Sequence, residues 1–104
     1  MMPIVLLTAT TDAEASSLFR VVNEGGKPGV PAHFTCPGIA GAETGTMQMQ
    51  DASEGWHDYY VDGTLQQVTA TNTGVAVYAP GIYRINKSST AGATSVEVST
   101  EGHP

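Results

Sequence analysis

The sequence predicts an all-β fold, a single compact antiparallel β-sandwich or small barrel of about seven to nine short strands. The composition combines 12 glycines and 40% hydrophobic residues with only 13% charged residues, and this mixture favours strands and turns over helix bundles. Runs with a period of two recur along the chain, and turn signals separate them at intervals of roughly eight to twelve residues. A chain of 104 residues is long enough for one hydrophobic core and too short for two.

The beginning of the chain is predicted to lie outside the sandwich. We divide the sequence into an N-terminal arm and connector at 1–16, a β-sandwich domain at 17–99 and a C-terminal tail at 100–104. The arm contains an aliphatic run at 4–7, which suits either a buried strand or a segment that docks on another chain. Residues 11–14 have capping-box spacing, yet a β-type run follows closely, so at most one helical turn is expected there. Residues 23–31 are rich in glycine and proline and predict the longest loop.

Alternation of apolar and polar residues predicts which side chains form the core. Phe34 and Cys36 share one parity, while His33 and Thr35 share the other, as expected for a half-buried strand. The same reasoning applied to the later runs predicts a core that includes Phe34, Cys36, Tyr59, Val61, Val77, Ile85, Val96 and Val98, with Tyr83 at least partly buried.

Two turns are predicted from local sequence. Asp62-Gly63 lies between two strand-like runs and indicates a type I′ hairpin, because both central residues of that turn adopt positive φ. Residues 56–61 should therefore pair with 64–69. Residues 72–74 indicate a three-residue hairpin loop with Gly74 in the left-handed conformation.

Charge and cysteine content exclude several classes of partner. The formal net charge is −6, and the four Lys and Arg residues are too scattered to form a basic stripe, so no nucleic-acid partner is expected. A single cysteine excludes an internal disulfide framework. The first residues have neither a basic region nor a long apolar run, so we expect synthesis in the cytoplasm, no signal peptide and no membrane partner.

The sequence contains no pattern typical of a catalytic or metal site. His33 and Cys36 have opposite parity, and His57 and His103 lack the spacing of zinc ligands. The acidic residues between 51 and 62 match no calcium-binding loop. No histidine is placed beside a nucleophile and an orienting acid. We therefore expect no enzyme activity, no cofactor and no metal.

Aromatic residues on the predicted hairpin are the strongest candidates for a binding surface. Trp56 and Tyr60 share one parity and Tyr59 has the other, and a sandwich buries only one face of each sheet. Trp56 and Tyr60 are thus predicted to be exposed, as at protein interfaces or sugar-stacking platforms. The alternative is that a bulge places both sets in the core. Arg84 is predicted to be structural, with its stem on the sheet and its guanidinium against a carboxylate or loop carbonyl of the same or a neighbouring subunit.

Four segments carry a family resemblance: GIAGAET at 38–44, YVDG at 60–63 after a tryptophan-bearing strand, TATN at 69–72 and VYAPGIYRI at 77–85. Together with Lys87 and Ala91-Gly92, these segments resemble short structural proteins of tailed bacteriophages and prophages, in particular head decoration or cement proteins. The resemblance covers about 34–98 and does not extend to the first thirty residues. The polar end of this chain, with Glu97, departs from the aliphatic run on which such proteins tend to end.

The resemblance implies a virion protein that decorates and cements the outer capsid surface by binding the lattice of the major capsid protein. A homo-oligomer, with a trimer favoured, would engage several capsid subunits at once and gain effective concentration. The residues expected to contact the capsid or sister subunits are Pro3, Ile4, Val5, Leu6, Leu7, Trp56, Tyr60 and Arg84. Two alternatives stay open: a carbohydrate-binding module that presents Trp56 and Tyr60 to glycans, and a tail or head-to-tail adaptor protein.

Overall fold

The all-β prediction is confirmed by the computed structural model, which describes residues 4–21 and 32–99. Within these ranges the chain forms twelve strand segments and no helix. The segments are β1 (Ile4–Thr10), β2 (Glu14–Ala15), β3 (Phe19–Val21), β4 (Ala32–Thr35), β5 (Gly45–Gln50), β6 (Trp56–Asp58), β7 (Tyr60–Val61), β8 (Thr64–Leu65), β9 (Gln67–Val68), β10 (Gly74–Val77), β11 (Gly81–Lys87) and β12 (Thr94–Ser99).

The strands form two main antiparallel sheets. The first sheet has the order β1-β12-β4-β10, and the second has the order β2-β11-β5-β6. In the second sheet β3 also pairs with β11, and β9 also pairs with β5. β7 and β8 make a separate two-stranded hairpin. The segments outnumber the predicted strands partly because the runs 56–61 and 64–69 are each divided into two.

One hydrophobic core lies between the two main sheets. Phe34 of the first sheet packs against Tyr83 and Phe19 of the second, with ring centroids 6.5 Å and 6.0 Å apart. The alternation in β12 is complete, with residues 94, 96 and 98 buried and the residues between them partly exposed. The predicted core residues that the structure confirms as buried are Phe34, Cys36, Val77, Tyr83, Ile85, Val96 and Val98.

The predicted hairpin turn is confirmed, but its strands are shorter than predicted. Asp62 and Gly63 have φ values of 51° and 79°, and Tyr60 lies opposite Leu65. The chain leaves the second sheet at Tyr59, whose N–H donates to the Met47 carbonyl. The residues before Tyr59 pair with β5 rather than with 64–69.

Val61 was wrongly predicted as a core residue, since its side chain is 43% exposed. The hairpin β7–β8 contains only two strands, and a two-stranded hairpin buries little on either face. Tyr59 is half-buried, and its ring meets Tyr83 edge to face at 5.2 Å.

The predicted arm is instead built into both sheets. β1 pairs with β12, and β2 pairs with β11. Leu6 is buried and Leu7 packs partly against the core, so the aliphatic run is held by the same hydrophobic effect as the rest of the sandwich. Residues 11–14 form no helical turn. Pro3, the predicted loop at 23–31 and the tail at 100–104 lie outside the described residues.

The connection at 69–74 does not close the predicted hairpin. β9 belongs to the second sheet and β10 to the first, so this loop crosses from one layer of the sandwich to the other. Its tight part is a turn in which the Thr69 N–H donates to the Asn72 carbonyl at 2.8 Å. Gly74 begins β10 and is not among the residues with positive φ, because a strand start needs extended backbone.

Candidate functional site

The outer face of the second sheet, turned away from the core, carries the candidate site. On β5 and β11 the residues Met47, Tyr83 and Ile85 point inward, so the residues between them point outward. Register places Gln48 opposite both Arg84 and Asp58. The outer face comprises Arg20, Gln48, Gln50, Trp56, Asp58, Ile82 and Arg84.

Arg84 is held by two neighbours on this face. Its guanidinium carbon lies 4.3 Å from the centroid of the Trp56 ring, within the range of a cation–π contact. Its Nε donates to Gln48 Oε1 at 2.9 Å. Gln48 Nε2 in turn donates to Asp58 Oδ1 at 3.1 Å. Arg84 thus packs along the sheet as predicted, and its partners within the described part of the chain are an amide and an indole ring rather than a carboxylate or loop carbonyl. Contact with a neighbouring subunit stays a prediction.

The outer face concentrates the arginine charge of an acidic chain. Ten Asp and Glu residues oppose four Lys and Arg residues, and both arginines lie on this face. Lys87 is buried, with 1% exposure. Among the described residues, neither guanidinium group has a carboxylate within salt-bridge distance.

A groove beside the hairpin contains Tyr60, which the sequence predicted to be exposed. Tyr60 is 56% exposed, and the groove has a volume of about 390 Å³. Half-buried Tyr59 and Met49 form apolar parts of its wall, and Asp51 and His57 form its polar end. Trp56 does not line this groove, but Gln50 and Asp58 of the outer face do, so the groove adjoins that face. Trp56, which was also predicted to be exposed, is half-buried.

Asp51 organises the turn between β5 and β6 at the end of the groove. Its Oδ1 accepts hydrogen bonds from the Ser53 N–H at 2.9 Å, from Ser53 Oγ at 2.8 Å and from the Gly55 N–H at 2.8 Å. Its Oδ2 meets His57 Nε2 at 2.5 Å. The hydrogen bond from His57, followed by those from Ser53 and Gly55, holds the pKa of Asp51 well below its usual range.

The predicted contact residues on β1 differ from one another in exposure. Ile4 and Val5 are exposed, whereas Leu6 is buried and Leu7 is half-buried. The Ser17 N–H donates to the Leu6 carbonyl at 2.9 Å, which brings exposed Leu18 near this edge of the first sheet. Ile4 and Val5 are therefore available for contact with another protein. Leu6 is buried in the core, and Leu7 packs partly against it.

Lys87 is a buried cation that was not predicted from the sequence. On β11 every second residue from Tyr83 to Lys87 is buried. This spacing of two is the sequence signal that could have predicted the burial of Lys87. Its Nζ donates to the Ser88 carbonyl at 2.9 Å and to Thr90 Oγ1 at 3.3 Å.

Burial raises the pKa of the Cys36 thiol to about 11, against the opposing effect of the Lys87 charge.

Within the described residues, no three or more His, Cys, Asp and Glu side chains are grouped so as to hold a metal ion. The same part of the chain contains no helix long and apolar enough to cross a membrane.

Among the predicted site residues that the structure describes, Trp56 and Arg84 are the pair from different strands that come into contact. Tyr60 lies on the hairpin, and the β1 residues belong to the other sheet. Sequence reasoning missed the parts played by Gln48, Asp58 and Arg20. The alternation of Gln48 and Gln50 with Met47 and Met49 is a signal that the two glutamine side chains point outward from the sheet. It does not predict which residues of other strands lie beside them.

Comparisons with known proteins do not assign the chain to a family. No family model, curated protein or solved structure matches the chain.

Proposed function

We propose that the protein is a bacteriophage virion structural protein that decorates and cements the outer capsid surface by binding the major capsid protein lattice. The resemblance at 34–98 supports this assignment, and the structural observation that supports it best is the Arg84–Trp56 pair on the outer face. Tryptophan and arginine are the residue types most enriched at interface hot spots. A pair of them on a sheet face suits docking on another protein.

The outer face would supply the capsid contact, and Tyr60 on the neighbouring hairpin would extend it. One protein partner typically contributes about 800 Å² to a stable interface. A protein of 10.8 kDa has room for one such patch and a smaller self-contact. Several linked copies would then bind the lattice with a higher effective concentration than a monomer.

Contact between sister subunits is assigned to the exposed aliphatic edge of the first sheet. Ile4, Val5 and Leu18 are exposed there, and exposed aliphatic residues near a sheet edge favour association. The proposed assembly is a homo-oligomer, with a trimer favoured. Light scattering of the purified protein measures its mass, and a monomer at high concentration would contradict this part of the proposal.

The capsid assignment is tested by adding purified protein to expanded capsids of the encoding phage that lack it. Occupancy is measured by electron cryo-microscopy and by co-sedimentation. Trp56→Ala is expected to weaken binding roughly thirtyfold per site, because losing an interface anchor typically costs about 2 kcal/mol.

Tyr60→Ala and Tyr78→Ala form a matched pair for the same assay, because both rings are 56% exposed and lie on different parts of the fold. Tyr60→Ala should lower occupancy, whereas Tyr78→Ala should leave it unchanged. Absence of binding to capsids would contradict the proposal. A few copies per virion, confined to the tail or the head–tail joint, would favour an adaptor protein instead.

The groove beside Tyr60 favours one second candidate, a carbohydrate-binding module. An exposed tyrosine beside carboxylate and imidazole groups is suited to stacking on a sugar ring while bonding its hydroxyls. A glycan array probed with the purified protein tests this candidate. Saturable glycan binding that is lost in Tyr60→Ala, with no binding to capsids, would replace the first proposal with the second.

A further inference from the structure

We propose that the outer face docks an acidic segment of a partner protein, with Arg84 as the receptor for one of its carboxylates. The inference deepens the proposed function and rests on it for the identity of the partner, the capsid protein. The recognition chemistry itself depends on Arg84 and its surroundings.

Arg84 is preorganised for such a role. Arginine loses considerable side-chain entropy when it is ordered by a ligand. Here the Trp56 ring supports one face of the guanidinium, and Gln48 Oε1 accepts the Nε proton. The Gln48 amide is itself oriented by its hydrogen bond to Asp58 Oδ1. Folding therefore already restricts the Arg84 side chain, so that less side-chain entropy is lost when a partner binds.

The terminal Nη groups of Arg84, which are suited to carboxylate recognition, have no hydrogen-bond partner among the described residues. Nε is the one nitrogen of Arg84 with a hydrogen-bond partner among the described residues. The terminal Nη groups retain their donors, and a guanidinium pairs with a carboxylate through two parallel N–H···O bonds. Arg84 is only partly buried, so a partner can reach it from the solvent side of the sheet.

The distribution of charge points to an anionic partner. In a chain of net charge −6, intramolecular carboxylates greatly outnumber arginines, yet both arginines stand on one face without a carboxylate within salt-bridge distance in the described part of the chain. Arg20 lies opposite Ile82, two residues from Arg84 on the same face. Diagonal neighbours in a sheet have Cα atoms roughly 7 to 8 Å apart. The two guanidinium groups are therefore placed to meet neighbouring acidic side chains.

The surroundings favour a protein over a nucleic acid or a highly sulfated glycan. Polyanion binding depends on many phosphate or sulfate contacts, and this face offers two guanidinium groups on an acidic molecule. Ile82 lies beside both arginines, and Trp56, Asp58 and the amides of Gln48 and Gln50 lie on the far side of Arg84. This mixture of apolar area, amides, two arginines and one carboxylate matches the composition of protein interfaces.

The test uses the full chain and two synthetic peptides, acetyl-(Thr-Glu)₃-amide and its neutral counterpart acetyl-(Thr-Gln)₃-amide. Trp56 is the single tryptophan, so its fluorescence reports directly on the proposed site, and calorimetry gives the affinity. The expected result is saturable binding of the acidic peptide at about 50 mM salt, weakened by added salt, with no binding of the neutral peptide.

Three variants separate the Arg84 receptor from general charge. Arg84→Gln should weaken binding at least about tenfold, because it removes a bidentate charged contact. Arg84→Lys keeps the charge but loses the planar fork, and should still weaken binding about fivefold or more. Arg20→Gln changes the net charge as Arg84→Gln does but leaves the Trp56 stack intact, and should weaken binding by about threefold or less. Circular dichroism checks that each variant is folded.

The inference is overturned by any of four results. The first is that the acidic peptide shows no saturable binding up to about 10 mM, a range that includes weak contacts. The second and third are that Arg84→Gln or Arg84→Lys binds the acidic peptide as tightly as the wild type does. The fourth is that the protein binds a heparin tetrasaccharide or duplex DNA in place of the peptide. Capsid occupancy is measured separately. Capsid binding without peptide binding would refute this inference alone, and peptide binding without capsid binding would refute the capsid assignment alone.

Discussion

At the scale of single residues, close packing determines the residue at position 45. A Cβ atom on Gly45 would lie 2.7 Å from Cys36 Sγ and 3.0 Å from Ile85 Cγ2. Gly45 does not have positive φ, so its backbone conformation would accept other residues. Glycine is therefore required by the approach of a buried side chain from the other sheet, which is a close-packing constraint of the core.

Gly45→Ala is predicted to lower the free energy of unfolding by about 2 kcal/mol, the usual cost of overpacking a core. In a Cys36→Ala background the same change should cost about half as much or less, because the nearer of the two clashing atoms is gone. Urea denaturation of the four proteins in this cycle measures both costs. Equal costs in the two backgrounds would contradict the proposed contact.

At the scale of elements, the turn between β5 and β6 is held by one carboxylate. Asp51 joins the beginning of the turn to Ser53, Gly55 and His57. Glu54, inside the turn, has a φ of 70°, a conformation that non-glycine residues adopt at a cost. The hydrogen bonds to Asp51 stabilise this conformation and thereby the start of β6, where Trp56 lies.

Asp51→Asn is predicted to destabilise the protein in a pH-dependent way. The pKa of Asp51 is lowered in the folded state, so its stabilising contribution is complete above the unfolded value of about 3.9 and is lost as the pH falls through the folded value. Urea midpoints should therefore differ most near neutral pH, and the difference should shrink below about pH 4.

Ser53→Ala provides the comparison for this experiment, since it removes one of the hydrogen bonds to Asp51 without changing the charge. It should change the midpoint in the same direction as Asp51→Asn, but by less. A difference between wild type and Asp51→Asn that stays constant or grows towards acid pH would show that the turn does not depend on the ionised carboxylate.

At the scale of the whole molecule, one core joins the beginning of the chain to its last described strand. β1 pairs with β12, and the Leu6 side chain belongs to the same core as Phe34 and Val98. Residues 14–21 pair with β11 in the other sheet and also meet β1 through Ser17. The N-terminal segment thus connects the two layers of the sandwich and contributes to cooperative folding.

Leu6→Ala is predicted to lower the free energy of unfolding by about 3 kcal/mol, as for other buried leucines. Ile4→Ala should cost about 1 kcal/mol or less, because Ile4 is exposed and little apolar area is lost. Deleting residues 1–10 should abolish cooperative unfolding. Circular dichroism and urea denaturation measure all three, and a truncated protein of unchanged stability would restore the interpretation of this segment as an arm.

Local sequence patterns were sufficient to predict the fold class, the Asp62-Gly63 turn and most of the buried face. These depend on local properties: side chains alternate along a strand, and positive φ is needed within the turn itself. Phe34, Val96 and Val98 could therefore be assigned to the core without knowing their neighbours.

Which strands lie side by side could not be predicted from local patterns and depends on the folded chain as a whole. Residues 56–58 pair with β5 instead of with 64–69, and this pairing places Trp56 over Arg84 while leaving Val61 outside the core. A second long-range pairing, of β1 with β12, places the aliphatic run at 4–7 in the first sheet. Strand pairing is decided by the sum of contacts between distant segments, so local alternation predicted that Trp56 faces outward, and the fold determined that it meets Arg84.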